Sequence, residues 1–205
     1  MTDQSNVLVI LAHPALEKSR CNRPMATRAR YTANVTVHDL YEHYPDFYID
    51  KAREQALITE HDVLVLQFPL YWYSAPALLK EWIDIVFEHG FAYGRHARGL
   101  AGRTLVTAWT AGSSETQFVD EQDQSLIPSI MQPFAATARY CGLHYLPPWC
   151  TLDTGSLTAG QIDTVARRYA AMLQRLQWPT FRARDFEGDI TLNASLDRLQ
   201  EESDA

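Results

Sequence analysis

Short continuous apolar runs alternate with longer amphipathic stretches as far as about residue 176. Val7–Ala12 is a β-prone run without a polar interruption, the pattern of a strand buried on both faces. His13-Pro14 ends it, because the residue before a proline is pushed out of helical geometry. After a loop, a helix starts near Ser19–Asn22, with Pro24 in its first turn, where a missing N–H costs no bond. Asn34–Leu40 alternates and reads as the second strand, Tyr41–Asp50 as an aromatic-rich loop, and Lys51–Glu60 as a short helix capped by Asp50. Asp62–Phe68 is the third strand and Pro69–Ala75 the loop after it. Pro76–Glu88 is amphipathic: Leu78, Leu79, Trp82, Ile83, Val86 and Phe87 share one face, Lys80, Glu81, Asp84 and Glu88 the other.

Gly90–Gly102 is a Gly/Arg-rich loop, Arg103–Ala111 the fourth strand and Gly112–Gln124 a polar loop. Leu126–Cys141 is helical, with Pro128 and Pro133 imposing a kink or a late start. Leu143–Cys150 is a short, proline-bounded fifth strand. In Thr158–Leu176, Thr158 and Gln161 form a capping box ahead of the stripe Ile162, Val165, Tyr169, Leu173 and Leu176. Such alternation builds a parallel sheet with helices on both faces. Five strands in this length match an α/β, flavodoxin-like doubly wound sheet of order 2-1-3-4-5. The expected division is a body, 1–177, and a C-terminal acidic appendage, 178–205, partly extended and frayed.

Charge sharpens that division. The 205 residues carry a formal net charge of −7. Residues 181–205 hold seven acids and three bases, net −4, which leaves the body at −3. Nucleic acid is thereby excluded as the main ligand, since its binding needs clustered Lys and Arg. A phosphate held by backbone N–H groups is not excluded. Cys21, Cys141 and Cys150 have no metal-ligand spacing, and the histidines form no HExxH pair, so neither a zinc ribbon nor a metal site is expected. The Val7–Ala12 run is too short for a signal sequence, and no stretch approaches a membrane span, so a cytoplasmic protein is expected.

In such sheets ligands bind beyond the carboxyl ends of the strands, at the switch point. The loops there are His13–Asn22, Pro69–Ser74 and Thr110–Glu115. The first leads into a helix start with Ser19 and Asn22 and no acid from Lys18 to Arg30. Its N–H groups and helix dipole can hold an anion without a lysine, although plain capping by Ser19 or Asn22 explains those residues equally well. It has neither GxGxxG nor GxxxxGK[ST]. Cys21 sits at that helix start, where a thiolate is favoured, although a small structural residue is the simpler reading. Tyr71, Trp72 and Tyr73 cannot all enter one core, so at least one is available to stack on a planar ring; packing beneath the sheet or a dimer contact is the alternative. Gly112 and Ser113 permit close backbone approach, or form a plain turn. A phosphate clasp at one end and a ring wall at the other describe FMN rather than FAD.

The segments Leu8–Pro14, Leu40–Asp50, Phe68–Gly94, Thr110–Gly112 and Tyr140–Pro148 make the chain, from about residue 6 to 176, resemble the flavodoxin-like NAD(P)H:quinone oxidoreductases, the DT-diaphorase relatives. Within these it is most similar to the ancillary flavoproteins of glutathione-gated potassium-efflux systems. The resemblance implies an FMN enzyme that passes two electrons from NAD(P)H to a quinone-like acceptor, with the flavin carrying the chemistry. It implies that His13, Ser19, Arg20, Cys21 and Asn22 hold the phosphate. Leu70, Tyr71, Trp72 and Tyr73 would run along the ring, and Thr110, Ala111, Gly112 and Ser113 would meet its other edge. It further implies a homodimer with Tyr93 near the shared wall, Trp72, Tyr73 and Tyr93 walling the pocket. A potassium-efflux transporter at the inner membrane is the implied partner. Four departures stand out: Tyr71 replaces a common Gln, TAGSSE replaces TTGG, Gln117–Gln124 has Phe118 and no His where the diaphorases carry a Tyr and a His, and Pro24 replaces a more typical helical residue. A regulatory subunit docking on a transporter is the second reading, and a one-electron flavodoxin carrier the third.

Overall fold

A computed structural model describes residues 4–182, 186 and 188–204. Strands β1 (Val7–Leu11), β2 (Val35–Asp39), β3 (Val63–Pro69), β4 (Thr104–Thr110) and β5 (His144–Tyr145) lie in the order β2-β1-β3-β4-β5, all parallel. That is the flavodoxin-like order the sequence predicts. A further strand, β6 (Trp149–Thr151), also pairs with β4. The expected single fifth strand is thus split, because Pro147 and Pro148 between its halves have no N–H to give the ladder.

Two apolar layers sandwich the sheet. Successive strand residues point to opposite faces. Leu8 and Ile10 therefore pack with Leu78, Leu79 and Trp82 of α4 (Ala77–Val86), whereas Val7 and Val9 pack with Met25 of α1 (Asn22–Arg30) and with Tyr169 and Leu173 of α6 (Ala159–Leu176). Every residue of β1, β3 and β4 is buried, which is why their sequences show no alternation. Both predicted caps form: Asp50 accepts the Arg53 N–H ahead of α3 (Lys51–Thr59), and Thr158 and Gln161 make the capping box of α6. Helix α5 (Ile127–Tyr140) takes Pro128 in its first turn and carries Pro133 inside.

Two stretches expected as loops contain helical turns. Asp39 accepts the N–H groups of Tyr41 and Glu42 and so starts the four-residue α2 (Leu40–His43). Glu115–Phe118 is a 3₁₀ turn whose Phe118 is buried against Trp109, ring centroids 5.5 Å apart.

The C-terminal segment, expected to be partly extended, carries two helices, α7 (Pro179–Arg182) and α8 (Leu192–Asp204), with non-helical residues at 186 and 188–191 between them. Phe181 and Leu192 are buried in the same core as Val9 and Tyr169. Apolar residues at those positions override the acidic composition that suggested a loose tail.

Among the described residues one charged group lies wholly inside. Glu54 of α3 accepts hydrogen bonds from Tyr44 Oη at 2.6 Å and Trp82 Nε1 at 2.7 Å, and His38 Nε2 lies 2.9 Å away. Burial alone pushes its carboxyl up, but the His38, Tyr44 and Trp82 donors outweigh that and hold it below the ordinary value. This network ties the end of β2 to α3 and α4.

Candidate cofactor site

The carboxyl ends of β1, β3 and β4 open onto a cleft of about 380 Å³, within the range of small-molecule sites. His13, Lys18, Ser19, Arg20 and Cys21 line it from the first loop, Pro69, Leu70 and Tyr71 from the second, and Thr110, Ala111 and Gly112 from the third. Thr154 and Gly155, after β6, close it. None of its lining residues is acidic and two are basic. A larger groove, about 770 Å³, runs between α5, Leu143–Pro148 and residues of the C-terminal segment. It lies away from the switch point, so the smaller cleft is the candidate on topological grounds.

The anion-binding features can be taken atom by atom. Ser19 Oγ accepts the Asn22 N–H at 3.0 Å and so caps α1. The N–H groups of Arg20 and Cys21 take no acceptor among the described residues. With the helix dipole behind them they are donors for an anion. Lys18 adds a cation at the rim, although a lysine-free site was expected. His13 is nearly buried, and its Nδ1 accepts the Ala15 N–H at 3.1 Å. Burial lowers its imidazole pKa, Glu17 partly opposing, so His13 is a neutral ring with its proton on Nε2. The Cys21 thiol is pushed up by burial, with Arg20 opposing, which removes the thiolate reading.

Asn22 has a different place from the one its sequence suggested. It is fully buried; Nδ2 donates to Thr110 Oγ1 at 2.8 Å, while its carbonyl and Oδ1 accept from Gln67 Nε2 at 3.0 and 3.2 Å. Its side chain fastens the first loop to β3 and β4 rather than lining the cleft. Arg20 likewise turns its guanidinium onto the carbonyls of Thr154, Gly155 and Leu157. Ser113 stands just outside the lining, its carbonyl accepting the Asp153 N–H.

The three aromatics are all exposed: Tyr71 at 45%, Trp72 at 95% and Tyr73 at 59%. Tyr71 and Ser74 exchange two backbone hydrogen bonds, and Trp72 and Tyr73 between them have φ of 50° and 61°. Such a turn normally carries Asn-Gly, because both central residues are left-handed. Bulky aromatics there cost roughly 1–3 kcal/mol each. Backbone strain and exposure thus combine at one tip beside the cleft. Tyr73→Gly is accordingly expected to stabilise the fold by about 1 kcal/mol, a rise of roughly 2–4 °C in thermal midpoint, while weakening ligand binding; calorimetry of the unliganded protein beside a ligand titration checks both.

Tyr93 is not at this cleft. It lines a separate groove of about 490 Å³ with Ile83, Phe87 and Tyr140, its ring 5.2 Å from that of Tyr140. Lys18, Thr154 and Gly155 were missed by sequence reasoning; the split of the fifth strand, which brings Thr154 and Gly155 to the cleft, has no signal beyond the Pro147-Pro148 pair.

A doubly wound parallel sheet of this order, with an acid-free cleft at its switch point, defines the flavodoxin-like class of folds. The chain belongs to the family described as flavodoxin-like fold, whose model matches residues 5–176. It is 41% identical over 174 residues to the glutathione-regulated potassium-efflux system ancillary protein KefG of Escherichia coli O1:K1, covering 84% of this chain and 95% of the relative. Among solved structures it is similar to general stress protein 14 of Treponema denticola in complex with FMN (TM-score 0.79, 37% identity, 84% of this chain and 99% of that one). It is also similar to the NADPH-quinone reductase of P. pentosaceus (TM-score 0.73, 31% identity, 82% and 96%). Among the described residues no helix is long and apolar enough to cross a membrane.

Proposed function

We propose that the protein is an FMN-dependent NAD(P)H dehydrogenase that reduces quinones or similar acceptors by two-electron transfer. The observation that carries this is the acid-free cleft at the head of α1 beside a strained, exposed aromatic tip. Bound FMN supplies the redox chemistry. The Arg20 and Cys21 N–H groups, Ser19, Lys18 and neutral His13 hold its phosphate. Leu70, Tyr71, Trp72 and Tyr73 provide the face against which the ring and a planar acceptor stack. The N–H groups of Gly112 and Ser113 are the chain's donors for negative charge at the ring edge. Phe118, buried in the stretch after β4, has no proton to give; the hydride comes from NAD(P)H and the further proton that the reduced acceptor needs comes from solvent.

The reading includes a homodimer whose contact covers part of the exposed aromatic tip and the Tyr93 groove. Steady-state oxidation of NADH and NADPH by the FMN-loaded protein, with and without a quinone, tests it; quinone-dependent turnover supports it and its absence with bound FMN defeats the enzyme reading. A second reading is favoured by the likeness to KefG: a flavoprotein subunit docking on the cytoplasmic part of a potassium-efflux transporter. Co-purification with such a transporter, measured with a turnover-deficient variant, separates the two.

A further inference from the structure

The wall of the cleft formed by Thr154 and Gly155 lies in the loop that follows an element only three residues long, β6. Its inner side is tied to β4 and the loop beyond: the Ala111 N–H donates to the Thr151 carbonyl at 2.8 Å, Asp153 N–H to Ser113 at 2.9 Å and Thr154 N–H to Ala111 at 3.1 Å. Its outer side would be a bare sheet edge, with the N–H and C=O of Cys150 turned away from β4. The C-terminal segment fills that place. Asn193 Oδ1 accepts the Cys150 N–H at 2.8 Å and Asn193 Nδ2 donates to the Cys150 carbonyl at 3.0 Å, so one carboxamide satisfies both groups as a neighbouring strand residue would. Leu192, fully buried, donates its N–H to the Pro148 carbonyl at 2.9 Å. From the other end, Arg20 of the phosphate loop grips the carbonyls of Thr154, Gly155 and Leu157. Asp153 sits between these anchors in the left-handed region, φ 51°, its carboxylate accepting from Ser156 Oγ at 2.6 Å.

We propose that Asn193 and Arg20 are positioning residues for the cofactor: Asn193 fixes β6 at the sheet edge, Arg20 fixes the loop that β6 feeds, and together they set the wall and the phosphate loop at one spacing. The inference rests on reading the cleft as an FMN site. It gives the segment beyond the family match, which ends at residue 176, a part in building that site. It also makes the Arg20 guanidinium a clamp rather than a phosphate ligand, since both its terminal nitrogens are engaged by carbonyls, and leaves the phosphate to Lys18 and the free backbone N–H groups, that of Arg20 included.

The test is a double-mutant cycle on the full chain. FMN is titrated by quenching of its fluorescence into wild type, Asn193→Ala, Arg20→Lys and the double variant. Hydrogen exchange of the FMN-free proteins is followed at Asp153 and Thr154, with β1 as reference. Each single change should weaken FMN about tenfold, the worth of one charge-assisted or buried hydrogen bond. The double variant should be within about twofold of the weaker single, because both act through one loop. Asn193→Ala should speed exchange at Asp153 and Thr154 and leave β1 protected. Unchanged exchange at those two residues overturns the inference whatever FMN does. Unchanged affinity in both singles, or strictly additive losses, overturns it as well. Failure of wild type to take up FMN, with exchange responding as expected, removes the FMN reading and with it the cofactor role.

Discussion

Replacing Glu54 by alanine should cost about 3–5 kcal/mol, the cost of breaking a buried charge network by deleting one member. Tyr44 Oη, Trp82 Nε1 and His38 Nε2 all converge on its carboxylate, and Glu54, with Trp82, is fully buried. Deletion leaves the donors without an acceptor in a space closed to water. The Tyr44 hydroxyl, pushed far up by burial and by the carboxylate, stays a donor throughout the working pH range. Sign follows from the direction of the shift. Because the folded carboxyl lies below its unfolded value, its stabilisation is complete above the unfolded carboxyl pKa. It is lost as pH falls through the folded one. Urea unfolding of wild type from neutral pH down to about pH 3.5 should therefore show a steeper acid-side loss of stability than Glu54→Gln. Parallel pH profiles would show that the network contributes nothing.

Asn22→Leu should abolish detectable cofactor uptake at micromolar FMN while costing about 1–3 kcal/mol of stability, the penalty of one buried hydroxyl left without its partner and one buried amide left with a single bond. Thr110 Oγ1 and Gln67 Nε2 both lose a partner, and the first loop loses its bond to β4 and one of its two Gln67 bonds. The two effects separate by temperature. At a temperature where the variant is still folded by circular dichroism, FMN affinity should remain down by at least tenfold. Full affinity at that temperature would show that the loop holds its shape without this buried amide.

The sheet was legible because β1 is apolar without a break and β3 and β4 are largely apolar without alternation, the pattern that burial on both faces produces in short segments. Caps at Asp50 and Thr158 were legible because capping is local chemistry over three or four residues. Of the site, the three loops were found from topology, and the exposure of at least one of Tyr71–Tyr73 from the impossibility of packing three neighbours inward; that all three are exposed goes beyond that expectation. What sequence could not reveal was which way polar side chains turn. Asn22 and Ser19 look alike as phosphate donors in a string of letters; the difference is Gln67 and Thr110, distant in sequence and adjacent across the sheet. Thr154 and Gly155 enter the cleft by tertiary contact alone. The docking of the C-terminal segment escaped for a related reason: its acids dominate its composition, while a few residues, Phe181, Leu192 and Asn193, decide where it binds.

The most direct measurement is the anaerobic absorption spectrum of the purified protein incubated with FMN, freed of unbound flavin, before and after NADPH. A yellow protein with one FMN per chain, whose visible flavin absorption bleaches on NADPH and returns on adding a quinone, is the predicted result. A protein that emerges colourless after incubation with FMN would contradict it.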